Sequence, residues 1–119
     1  MGLLERFASR DVEEETDLGA VSRVEGATPM DAVRPRMATK VAGVIVSLTR
    51  SVPDEAPQLS VDVSDGKGVV TARFLGRRAI PGIATGRALE LDGRFCDGSG
   101  DDRAAGPVAL NPSYRLLGR

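Results

Sequence analysis

Two adjacent guanidinium groups are the first candidates for chemistry in this chain. Arg77 and Arg78 follow Gly76 in "FLGRRAIPGI", at the point where a strand pattern stops. Paired arginines at a strand exit suit phosphate, because each presents a planar fork of donors and keeps its charge at any physiological pH. The same pair also suits the solvated rim of a small barrel. Lys40, Arg50, Lys67 and Arg73 are the other cations that can extend a basic strip, and Tyr114 is the one aromatic ring expected at the surface.

Most catalytic chemistry finds no residues here. The chain has no histidine and one cysteine, Cys96. That removes the histidine bases of acyl-transfer triads, the usual zinc frameworks and any intramolecular disulfide. Paired carboxylates in an apolar setting and cofactor fingerprints are also missing, so the expectation is a protein that is not an enzyme and needs no cofactor. "GKG" lacks the spacing and the Lys-Ser/Thr pair of a phosphate loop. "DGSGDD", residues 97–102, lacks the twelve-residue spacing and terminal glutamate of a calcium loop, so no metal is expected. "NPS" has proline in the middle position, which excludes glycosylation at Asn111. Cys96 reads as a small, half-buried apolar residue.

The elements that must position the cations follow from pattern. A chain of 119 residues is one domain's worth, and its few aromatics leave an aliphatic core to be built from Val, Leu, Ile and Ala. The net charge of -1 conceals an asymmetry. Residues 1–33 hold eight acidic side chains against Arg6, Arg10 and Arg23, a net of -5, and the remainder carries +4. The division expected is an acidic leader, residues 1–36, helical or partly disordered, before a barrel over 37–119. In the leader, Leu3, Leu4 and Phe7 have helical spacing, and Ser9 is placed to cap a second short helix from Asp11. No stretch has the roughly 18 apolar residues of a membrane span, and no export signal is read, so the expected setting is cytoplasmic.

From Met37 the texture is that of strands. "MATKVAGVIVSLT" is long and rich in β-branched residues, with an apolar phase of Met37, Thr39 and Val41 before Gly43 and of Val44, Val46 and Leu48 after it. A phase change at a glycine predicts a bulge or coil that lets one strand serve two halves of a barrel. "LSVDVS" and "VVTARF" flank the turn "DGKG". Closing that turn at Asp65 and Gly68 sets Val63 opposite Val70, Val61 opposite Ala72 and Leu59 opposite Phe74. Ser60, Asp62, Ser64, Thr71 and Arg73 then face outward, with Asp62 diagonal to Arg73 and in reach of an ion pair. "RALELDGRF" turns Leu89, Leu91 and Phe95 to the core. A fifth strand, "PVALN", ends at Pro112, which turns Tyr114, Leu116 and Leu117 back onto the barrel.

Five short strands after a helical leader, the first long and coiled, predict an all-β, five-stranded Greek-key barrel. The order "KVAGVIVSL", "LSVDVSDGKGVVTARFLG", "IPGIATG", "LELDGRF" and "LNPSYRLL" resembles the oligonucleotide and oligosaccharide binding (OB) fold. More narrowly it resembles small actinobacterial OB-fold proteins associated with nucleic acid by fold. It is also similar in layout to the OB-fold wedge domain of the RecG branch-migration helicase. The resemblance covers about residues 37–117 and implies weak contact with single-stranded or junction nucleic acid. The contact it implies lies on the face of the second and third strands, drawing on Lys40, Arg50, Lys67, Arg73, Arg77, Arg78 and Tyr114. Three or four phosphate contacts would give a log-log salt slope of about -2 to -3 on single strands. The alternative is a protein-interaction or self-assembly module, including a homodimer, that uses the same face.

Overall fold

The computed structural model describes residues 19–98 and 104–118. The expected helices over Leu3–Phe7 and from Asp11, with the Ser9 cap, lie outside those residues. So does most of the loop over 97–102.

Among the described residues six strands form one sheet that closes on itself: β1 (Met37–Arg50), β2 (Gln58–Ser64), β3 (Val69–Leu75), β4 (Ala88–Cys96), β5 (Val108–Leu110) and β6 (Ser113–Leu116). The length of β1 does the closing. Its first half, Met37 to Val44, runs antiparallel to β4, and its second half, Val44 to Arg50, runs antiparallel to β2. A parallel β3–β5 pairing, with Ala72 beside Ala109, and an antiparallel β5–β4 pairing complete the ring β1-β2-β3-β5-β4-β1. This is the expected Greek-key OB barrel. β6 is an addition to the five strands read from the sequence. Asn111, in the left-handed region at φ 46, and Pro112 swing the chain off the β3 edge, and Ser113–Leu116 then continues along β4.

The hairpin register is the one that alternation predicted: Leu59 opposite Phe74, Val61 opposite Ala72, Val63 opposite Val70. Its turn is held by Asp65. Oδ1 accepts the backbone N–H groups of Lys67 (2.9 Å) and Gly68 (3.0 Å), and Oδ2 accepts that of Met30 (2.9 Å). Burial pushes the Asp65 carboxyl upward, yet these backbone donors outweigh it and hold the group below its usual value. Gly66 takes φ 86 in that turn, where a Cβ is disfavoured.

The phase change in β1 falls later than the sequence implied. Val41 and Ile45 point inward, the register with β2 slips between Ile45 and Ser47, and Val46 bulges outward at 50% exposure. Leu48, packed against the core, resumes the inward phase. The extra residue of a bulge, and not Gly43, resets the parity. Gly43 serves close approach instead. A Cβ there would lie 2.6 Å from the Ser64 carbonyl oxygen, 2.7 Å from Met30 Cε and 2.8 Å from Val63 Cγ1.

The interior is aliphatic, with Val41, Ile45, Leu59, Val61, Val63, Val70, Leu89 and Leu91 at or near zero exposure around Phe95. Met30, from the single 3₁₀ turn Met30–Ala32, plugs one end, and Ile80 and Ile83 from the β3–β4 link join the same cluster. Outside the barrel, helical residues 19–22 lay Ala20 against Ala42, Ala88 and Leu117. Among the described residues no helix is long and apolar enough to cross a membrane.

Candidate nucleic-acid interface

The outward face of β2 and β3 is less open than alternation alone implied. Ser60 is 5% exposed and Thr71 is fully buried. Thr71 donates from Oγ1 to Asp62 (2.7 Å) and accepts the backbone N–H of Ala105 (3.1 Å), while its own N–H donates to the Pro107 carbonyl (2.8 Å). The end of the β4–β5 connection therefore lies over the strand. Asp62 also accepts from Ser47 Oγ at 2.6 Å, so both its oxygens are held by hydroxyls. The expected diagonal partner, Arg73, directs Nε to Ser60 Oγ at 3.2 Å. A row of hydrogen bonds across β1, β2 and β3 thus satisfies the Asp62 carboxylate and the Ser47 and Thr71 hydroxyls, as burial of such groups requires.

The two neighbouring arginines have different surroundings. One terminal nitrogen of Arg78 donates to three backbone carbonyls of the β1–β2 loop: Val52 (3.1 Å), Pro53 (3.1 Å) and Glu55 (2.6 Å). Its carbonyl accepts Nε–H of Arg50 at 2.8 Å. Arg50 and Arg78 together stitch that loop to the β3–β4 link. Arg77 is exposed and has no hydrogen-bond or ion-pair partner among the described residues.

Arg77 lines a groove of about 250 Å³ with Phe74, Leu75, Ile80, Asn111, Pro112 and Tyr114. The groove lies where β3 ends and the chain has already crossed from β5 to β6. Tyr114, 39% exposed, packs edge-to-face with Phe74, with centroids 5.6 Å apart and planes at 80°. Such edge-to-face packing fixes the ring while leaving part of its surface to the groove. Asn111 Oδ1 accepts the Leu75 N–H at 2.9 Å, which bridges the gap between the two chain segments. Leu75 and Leu110 flank the groove at 49% and 60% exposure, and Arg73 pairs with Leu110 across the β3–β5 ladder.

The remaining candidates are elsewhere. Lys40 lines a separate cleft of about 390 Å³ with Arg23, Glu25, Arg115 and Leu117. There Arg115 makes a bidentate pair with Glu90, at 3.1 and 2.9 Å, which holds the Glu90 carboxyl below its usual value. Lys67 sits in the hairpin turn beside Thr28 and Ala42. Of the seven predicted residues the fold sets Arg77 and Tyr114 in one groove, turns Arg73 to Ser60 on the β2–β3 face, ties Arg50 and Arg78 to a loop, and sends Lys40 and Lys67 to other surfaces. Sequence reasoning passed over Leu75 and Asn111, whose place in the groove follows from the departure of β5 from β3.

No family model matches the chain, and no curated protein does. Among solved structures the chain is similar to the OB domain of MM0293 from Methanosarcina mazei, determined by solution NMR. The TM-score is 0.53 at 15% identity, over 78% of this chain and 84% of that one. At that identity the likeness concerns the fold alone, and the chain has an OB fold.

Proposed function

We propose that this OB domain is a non-catalytic module that binds single-stranded or branched nucleic acid weakly, at the groove between the end of β3 and β6. The observation that carries the reading is Arg77, exposed and without a partner among the described residues, beside the half-open ring of Tyr114 in one groove. A ring that offers its surface to a base and a cation that meets the neighbouring phosphate are the two parts of a single-strand grip. The resemblance in sequence layout to the RecG wedge domain is the reason to try branched substrates. One ring supplies one stacking platform, so the affinity is low.

The test is a titration of the ¹⁵N-labelled protein with a thymidine oligonucleotide at low salt. Amide shifts concentrated at Leu75, Arg77, Asn111 and Tyr114 support the reading. Shifts confined to Lys40, Lys67 or the Glu90–Arg115 surface would relocate the site, and none at millimolar ligand would remove it.

A second reading has its own observation. Leu75 and Leu110 are large, exposed and adjacent to the same groove, as protein-binding surfaces often are. If a protein partner or a second copy docks there, Leu110→Asp changes the sedimentation behaviour or partner capture and leaves oligonucleotide binding intact.

A further inference from the structure

The chain enters β1 through a strained turn. Met37 N–H donates to the Arg34 carbonyl at 3.1 Å, with Pro35 and Arg36 as the central residues and Arg36 in the left-handed region at φ 67. Proline followed by a left-handed residue is the pattern of a type II turn, whose third position favours glycine because a Cβ there is strained. The backbone of Arg36 is held from both sides. Its N–H donates to the Phe95 carbonyl at 2.7 Å, and its carbonyl accepts Nη1 of Arg94 at 2.6 Å. Neither bond uses the Arg36 side chain. Glycine would serve this backbone better, so the fold gives no reason for arginine, and strain of this kind clusters at functional positions.

Three arginines share this corner: Arg34, Arg36 and Arg94, all exposed. The guanidinium groups of Arg34 and Arg36 have no hydrogen-bond or ion-pair partner among the described residues, and Arg94 uses one nitrogen on the Arg36 carbonyl. The nearest described carboxylates in sequence are otherwise placed. Asp92 stands across the ladder from Lys40, Asp97 has a contact of its own, and Asp31 lies by the hairpin, its backbone beside Gly68. Clustered planar donor forks of this kind suit phosphate oxygens.

The corner also adjoins the groove. Pro112, which lines the groove, packs on Gly93, where a Cβ would lie 3.1 Å from Pro112 Cβ. Arg94 is the next residue, about 3.8 Å further along the chain. A strand leaving the groove past Pro112 comes to these arginines next.

We propose that the corner of Arg34, Arg36 and Arg94 is a second phosphate site, which takes the backbone of a single nucleic-acid strand as it leaves the groove. The inference deepens the nucleic-acid reading and rests on it for the ligand, while the strained turn and the arginine cluster stand apart from the groove.

The test titrates a thymidine dodecamer into ¹⁵N-labelled wild type, Arg36→Gly and Arg36→Lys at several salt concentrations. Each arginine that meets a phosphate adds about 0.7 to the log-log salt slope on a single strand. Arg36→Gly should therefore flatten the slope by about 0.7 and, because the turn is relieved of strain, melt at or above the wild-type temperature. Arg36→Lys keeps the charge and should keep most of the slope. In wild type the amides of Arg36, Met37 and Arg94 should shift together with those of the groove. Groove shifts alone, with Arg36→Gly keeping the wild-type slope, overturn the second site and leave the groove reading standing. Corner shifts without shifts at Leu75, Arg77 and Tyr114 keep the phosphate site and remove the groove reading. Shifts at neither place overturn both.

Discussion

Replacing Arg78 with alanine should loosen the barrel, and replacing Arg77 should not. The Arg78 guanidinium donates to Val52, Pro53 and Glu55, three carbonyls that no strand satisfies. A hydrogen bond from a charged group contributes about 1.5–3 kcal/mol where both partners are shielded. Here the loop is solvated, water can replace each donor, and one nitrogen is shared among the three acceptors. The loss expected is about 1–2 kcal/mol in all. Unfolding entropy near 2.1 cal/mol/K per residue converts that to a fall in Tm of roughly 4–8 °C for a chain of this size. Arg77→Ala removes no hydrogen bond or ion pair among the described residues and should stay within about 0.5 kcal/mol of wild type. Thermal melts by circular dichroism, with calorimetry for the enthalpy, read both. The argument is refuted if Arg78→Ala melts with wild type, or if Arg77→Ala loses as much. Arg78→Lys is the control for charge alone and should recover part of the loss, since an ammonium lacks the reach of the planar fork.

Gly43→Ala should cost about 2–3 kcal/mol or more, because the new methyl meets the Ser64 carbonyl, Met30 and Val63 at under 3.0 Å; denaturant unfolding measures it. Asp65→Ala should destabilise by about 1–2 kcal/mol through loss of the turn and the Met30 tether. With the folded-state carboxyl held below its unfolded value, the ionised form favours folding at neutral pH. That contribution is complete above the unfolded value near 4 and disappears as pH falls through the folded one, so wild type and Asp65→Asn should converge in stability at the acid end of a pH series. Tyr114→Ala should weaken single-strand binding by about 1–3 kcal/mol and Tyr114→Phe by far less, since the stacking surface is what counts; anisotropy separates them.

The hairpin was legible because Leu59, Val61 and Val63 alternate strictly and "DGKG" admits few turns, so pattern alone set which side chains face the core. β4 was legible for the same reason. Val46 misled because a β-branched residue looks equally at home inside, and a bulge leaves no mark in composition. β6 was obscured by Pro112, which reads as a stop, whereas here it redirects the chain onto a second strand edge. The burial of Thr71 depends on β5 pairing in parallel with β3 and on Ala105 reaching it across 34 positions. The division of labour between Arg77 and Arg78 is likewise set by contacts 23–26 residues away, beyond any local pattern.

The most direct test of the central claim is the salt dependence of single-strand binding by wild type, Arg77→Ala and the Arg77→Ala, Tyr114→Ala double variant. With Arg77 as the phosphate contact that lines the groove, the log-log slope for a strand confined to the groove should be about -0.7, smaller than the sequence alone implied. Arg77→Ala should flatten it by about 0.7, and the double variant should lose measurable binding while remaining folded, its Tm lowered only by the lost packing of Tyr114 on Phe74. A wild-type affinity indifferent to salt, or a double variant that binds as wild type does, would contradict the assignment of this groove to nucleic acid.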